Sequence, residues 1–221
     1  MENGHPVGTD LSLIQTYYEL GARYITLCHW ANNEICDSAT DQAGPEHNGL
    51  SEFGRQVVAE MNRLGMMVDI SHTSDETVLD VLEVSTAPII ASHSSARAVY
   101  DHSRNLPDEL LQKIAQKGGV VQATIEYVKA HASYERPELL TVTEFVDHID
   151  HIVQVAGIDH VGIGTDFDGG GELADCYDVS EMGNITRELV KRGYTAAQIE
   201  KIWGGNLMRV FREVRERSEL Q

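Results

Sequence analysis

The strongest constraint on this chain is an alternation of two periods. Short β-branched and apolar runs recur, and amphipathic stretches of helical period separate them. Five runs read as strands: Tyr24–Cys28, Met66–Ile70, Pro88–Ala91, Gly119–Ala123 and His160–Gly164. Thr9 or Asp10 caps the stretch from Leu11 to Leu20, which stops at Gly21. Ser51 opens a helix through Val57, Val58 and Met61 that stops at Gly65, and Thr73 or Ser74 caps another around Val78, Leu79 and Leu82. Pro107 belongs in the first turn of a helix from Asp108 to Lys117, where its missing N–H costs nothing. Thr141 with Glu144, and Thr195 with Gln198, have the spacing of capping boxes; the first opens a helix ended by Gly157 and the second a final helix pair. Strands alternating with such helices predict βα units on a parallel sheet.

A doubly wound sheet and a (β/α)8 barrel both fit that alternation. The polar residues decide between them. His29, His72, His93 and Asp166 each fall just after an apolar run. A barrel brings such strand ends to one mouth. An open sheet spreads them along an edge and usually carries a spaced glycine loop, which Gly169-Gly170-Gly171 does not supply. Five strands, plus a stub ending at Glu2, fall short of the eight of a closed barrel of about 250 residues. The expectation is one partial domain over residues 1–221: an incomplete (β/α)8 TIM-type barrel lacking its first two or three βα units. Open edges predict self-association into a homo-oligomer or pairing with an N-terminal fragment.

Charge narrows the partners. With 35 acidic residues against 17 basic ones the net charge is -18, which disfavours nucleic acid and anionic lipid. Cys28, Cys36 and Cys176 are odd in number and form no C-x-x-C pair, so neither a disulfide framework nor a zinc ribbon is expected. No apolar run approaches the roughly 20 residues of a membrane span. The first residues lack a basic and apolar leader, and the last are polar. These features predict a soluble cytoplasmic protein.

Two strand-end histidines on successive units, His72 and His93, are natural zinc ligands, because neutral imidazole suits that metal. Either alone could cap a helix or bond a carbonyl. The pair in register, with Asp166 at a strand end two units later, points to a metal site. Asp166 could ligate a metal or take a proton, whereas Asp168, directly before Gly169, reads as a turn residue. His148 and His151, flanked by Asp147 and Asp150, read as a solvated helical face. His5, His47, His102, His131 and His160 have no evident partner in sequence. Ser94-Ser95 lacks a nucleophile elbow and is expected to cap a turn. No His-Glu-x-x-His occurs.

Six runs together carry a resemblance: Arg23–His29, His47–Gly54, Val68–His72, Ser92–Ala96, Ser103–Asp108 and Gly164–Gly169. In them, and from Glu2 to about Val214, the chain resembles the membrane (renal) dipeptidase family of zinc metallopeptidases. The resemblance implies a (β/α)8 barrel, two zinc ions and hydrolysis of dipeptides, often with a D-residue at the C-terminal position. It implies that Glu2 bridges the metals, that His72 and His93 hold one zinc, and that Asp166 is both metal ligand and proton acceptor. His29 then contacts substrate and steadies the tetrahedral intermediate, and Arg104 holds the dipeptide carboxylate. The family's other zinc uses a His-x-Asp pair near its N-terminus, and no such pair stands before Glu2 in this sequence. The expectations are therefore one retained zinc and impaired dipeptidase activity. The alternative is an inactive single-zinc remnant, or one half of a split or oligomeric enzyme. Another amidohydrolase-type barrel, such as a lactonase or phosphotriesterase, would need a strand-end lysine, and Lys129 lies past its strand.

Overall fold

The computed structural model describes residues 1–126 and 140–219. Its strands are β1 (Tyr24–Thr26), β2 (Met67–Asp69), β3 (Ile90–Ala91), β4 (Val120–Ala123) and β5 (Val161–Ile163). They form one parallel sheet in chain order, with β1 and β5 outermost among the described residues. This is the arc of a barrel that the alternation predicts. The expected stub is present too: the Met1 amino group donates to Tyr24 O at 2.9 Å, and Thr26 N–H donates to Met1 O at 3.0 Å.

The helices are α1 (Ser12–Glu19), α2 (Glu52–Leu64), α3 (Asp75–Val84), α4 (Asp108–Gln116), α5 (Val142–Ala156), α6 (Gly183–Lys191), α7 (Ala196–Glu200) and α8 (Asn206–Glu216). Their ends follow local chemistry. Ser51 Oγ accepts Gly54 N–H at the start of α2, and Gly65, at φ 74°, ends it in a conformation that suits glycine. Ser74 caps α3, and both expected capping boxes are formed. Pro107 is the N-cap of α4 and lies just outside its first turn. Asp10 accepts Ser12 N–H from one residue before the Leu11 cap of α1.

The strands are shorter than the apolar runs, because their ends turn into loops. Alternation then sorts their side chains. Ile25, Val68, Ala91 and Val121 join helix residues such as Val57, Met61, Val78 and Ile149 in the main core. On the opposite face Met67, Ile90 and Val120 pack against Val210 and Val214 of α8. That face is apolar at its amino end and polar at its carboxyl end, where Thr26, Asp69 and Ser92 stand. Register places Thr26 beside Asp69 and Asp69 beside Ile90, so the polar groups meet across three strands.

Two further sequence readings need correction. His148 and His151 do not form a solvated face. α5 packs on α4 and on the loop after β3, so His148 is fully buried and its Nδ1 accepts Ala96 N–H at 3.1 Å. His151 Nε2 pairs with Asp108 Oδ1 at 2.7 Å. The flanking Asp147 and Asp150 hold Arg192. His47 and His160 bond the carbonyls of Asn33 and Gly119. Ser95 Oγ bridges to the backbone of Thr124 rather than capping a turn. His131 and Lys129 lie outside the described residues.

Candidate metal centre

His29, His72, His93 and Asp166 each follow a strand by two or three residues, on β1, β2, β3 and β5. Glu2 follows the Met1 stub. The sheet therefore delivers five polar side chains to its carboxyl edge. Two of these positions, His72 (φ 70°) and Asp166 (φ 57°), are left-handed without being glycine, as is Asn3 (φ 67°) next to Glu2. Asn, Asp and His tolerate that region better than other side chains, but it remains uncommon and clusters at functional sites.

Glu2, His72 and His93 converge. Glu2 Oε1 lies 3.1 Å from His72 Nε2 and 3.2 Å from His93 Nε2, and the two Nε2 atoms are 2.8 Å apart. Both histidines are buried, while Glu2 is partly exposed. The rings of His72 and then His93, within hydrogen-bonding distance, hold the Glu2 carboxyl far below the usual carboxylate range. Burial dominates at His72 and pushes it down to about 3, despite the Glu2 contact. At neutral pH Glu2 is thus an ionised carboxylate and His72 a neutral imidazole, the protonation states a metal requires. Two imidazoles and one carboxylate at one point are a donor set suited to zinc.

His29 stands beside this group, with its ring 4.3 Å from that of His72 and its Nε2 3.7 Å from Glu2 Oε1. It is partly exposed, and burial lowers its pKa. Arg104 is almost fully buried and donates from Nη2 to His93 O at 3.2 Å. Asp166 and Asp168 line a cavity of about 250 Å³ shared with Glu2, His93 and Tyr24. Asp166 is not among the three converged ligand residues. A larger cavity of about 620 Å³ opens between the loops around Asp41 and Asp101. Its Asp37 accepts the backbone N–H groups of Glu46, His47 and Gly49, and its Asp75 pairs with Arg97, which gives both carboxylates structural work.

Sequence reasoning passed over Asp69 and Ser92. Asp69 is fully buried and accepts from Thr26 Oγ1 (2.6 Å), Ser92 Oγ (2.5 Å), Ser92 N–H (2.8 Å) and Ser71 N–H (3.1 Å). The available signal was a lone charge inside the apolar run Met66–Ile70, since buried carboxylates occur where partners exist. Trp30 was also overlooked; half exposed, it stands edge-on to His29 and His72.

Known proteins share this arrangement of strands and loops. The chain is similar to the probable dipeptidase PvdM of Pseudomonas aeruginosa, at 32% identity and a TM-score of 0.93 over 99% of this chain and 69% of that one. It is similar to a metallopeptidase of Rhodobacter sphaeroides, solved with a phosphinate mimic of the dipeptide L-Ala-D-Ala, at 29% identity and a TM-score of 0.89 over 97% and 62%. Among curated sequences it is 43% identical over 216 residues to Dipeptidase tcpJ of Claviceps purpurea, covering 97% of this chain and 50% of that protein. It is 40% identical over 220 residues to Dipeptidase 3 of Mus musculus, covering 98% and 44%. The chain thus spans about half the length of these curated relatives. A family model, membrane dipeptidase (peptidase family M19), matches residues 1–221. With that match along its whole length, the chain belongs to the membrane dipeptidase family of metallopeptidases.

Proposed function

We propose that this chain carries catalytic residues of a zinc-dependent dipeptidase, which hydrolyses dipeptides by attack of an activated water on the peptide bond. The convergence of Glu2, His72 and His93 at the sheet's carboxyl edge carries the reading. These three residues would hold the metal. Bound zinc supplies a Lewis acid that acidifies water and polarises a carbonyl. Asp166, which lines the cavity beside Glu2 and His93, takes the proton of the attacking water and returns it to the leaving amine. His29 donates to the carbonyl oxygen as it gains charge, where positioned donors act most strongly. Arg104, braced on His93 O, pairs its planar guanidinium with the substrate carboxylate. A second zinc, for which Glu2 and Asp166 are the available donors, belongs to this proposal.

A second reading is a single-zinc protein without turnover. It draws on the fact that one three-residue donor group converges among the described residues. Zinc per chain and hydrolysis of L-Ala-D-Ala separate the two. Retention of the zinc held by Glu2, His72 and His93 with hydrolysis lost in Asp166→Asn supports the dipeptidase, whereas zinc without wild-type hydrolysis selects the second reading. A chain that takes up no zinc defeats both. Arg104→Lys is expected mainly to raise KM for the dipeptide. An identical response with the C-terminal amide would remove the carboxylate clamp.

A further inference from the structure

We infer that Asp69, acting through Ser92, fixes His93 as the tautomer protonated on Nδ1 and so turns its Nε2 lone pair toward the point where Glu2 and His72 converge. The use of that lone pair rests on the metal reading above; the tautomer itself does not.

Asp69 Oδ1 accepts the N–H groups of Ser71 and Ser92, and Oδ2 accepts the hydroxyls of Thr26 and Ser92. Four donors fill the acceptor positions of a carboxylate and leave it nothing to donate. Ser92 has a single hydroxyl proton, and its closest acceptor is Asp69 Oδ2 at 2.5 Å; Ser71 Oγ is 3.4 Å away. Ser92 Oγ also lies 2.8 Å from His93 Nδ1. With its proton committed to Asp69, the hydroxyl only accepts there, so Nδ1 carries the hydrogen. The neutral ring then presents its lone pair at Nε2, which faces His72 Nε2 at 2.8 Å and Glu2 Oε1 at 3.2 Å.

The two histidines are therefore held differently. His72 Nδ1 is buried with no hydrogen-bond partner among the described residues, so that ring is placed by its left-handed backbone and by the rings of His29 and His93. His93 is placed by a polar chain rooted in β2 and completed across β1 and β3. Outer partners of this kind orient a ligand and set its tautomer. Asp69 is thus a positioning residue.

The test reads the tautomer without metal. Long-range proton–nitrogen-15 correlation on the metal-free chain at neutral pH, with His93 assigned by His93→Gln, is expected to show a protonated Nδ1 and an unprotonated Nε2. Ser92→Ala removes the acceptor, and Asp69→Asn places a donor in the network and releases the Ser92 proton toward Nδ1. Both are expected to shift His93 toward the Nε2-protonated form and to weaken zinc binding roughly 10–100-fold. Ser92→Thr restores the wild-type pattern. Should Asp69→Asn fail to fold, Ser92→Ala carries the test. An Nε2-protonated His93 in the wild type, or an unchanged tautomer in Ser92→Ala, overturns the inference. A wild type with Nδ1 protonated that binds no zinc leaves the inference standing and defeats the metal reading instead.

Discussion

His72 Nε2 and His93 Nε2 lie 2.8 Å apart, though their residues are 21 positions distant and sit on different strand ends. Two imidazoles that close, each also near Glu2 Oε1, address one point in space. His72→Ala or His93→Ala leaves two protein donors, fewer than zinc sites ordinarily use. Zinc affinity, read by competition with a chromophoric chelator, is expected to fall by more than the roughly 10–100-fold that loss of an outer partner costs. Unchanged affinity in both variants would contradict the assignment.

The depressed pKa of His72 makes the metal-free chain acid-sensitive. Unfolded, this histidine titrates near its ordinary value of 6.5; folded, it does so at about 3. Between those values the unfolded chain binds more protons, so stability is fully present above the upper value and falls as pH drops toward the lower one. Going from about pH 7 to about pH 5 should cost about 2 kcal/mol from this group. Urea midpoints at both pH values, for the wild type and His72→Asn, check it. The pH dependence should shrink in the variant, and equal dependence would refute the account.

Gly164, just beyond β5, faces the backbone rather than open space. A Cβ there would run into Ser92 O, which cannot yield as a side-chain end would. Gly164→Ala is expected to cost about 1–3 kcal/mol, as overpacking does. It should also weaken zinc binding, because Ser92 is bonded to His93. Gly183, at the open start of α6, has nothing within 4 Å of such a Cβ, so Gly183→Ala should be neutral or slightly stabilising. Thermal melts of the two variants make the comparison.

Arg192 tests stability away from the metal centre. It reaches Asp147 and Asp150 at 2.7 Å, Glu188 at 2.9 Å and Thr143 O at 2.6 Å, and its side chain is 17% exposed. Arg192→Met leaves three carboxylates facing one another. The loss should be about 1–3 kcal/mol, between that of an exposed pair and a buried one. Zinc affinity should not change; a large change would mean that α5 and α6 govern the site.

What the sequence disclosed was local or periodic. The Thr141–Glu144 and Thr195–Gln198 boxes close within three residues, so spacing alone reveals them. His29, His72, His93 and Asp166 were visible as polar residues after apolar runs. Glu2 showed only as the end of a short stub, and its metal-bridging role entered by resemblance. Asp69 was hidden because its partners Thr26 and Ser92 lie 43 and 23 residues away and meet it only through register. His148 was misread although its position told against solvation. It stands with Phe145, Ile149 and Ile152 on the buried stripe of α5, and the flanking aspartates drew the reading outward.

The left-handed backbone at His72 bears on attempts to move this site elsewhere. A designer copying Glu2, His72 and His93 onto the strand ends of another barrel would by default place the second histidine on ordinary right-handed or extended backbone. Its ring would then leave in another direction, however well the side-chain list matched. Glycine would ease the turn but deliver no imidazole. The transplantable unit is therefore a bend with its ligand attached, together with the packing that keeps an L-residue at φ 70°.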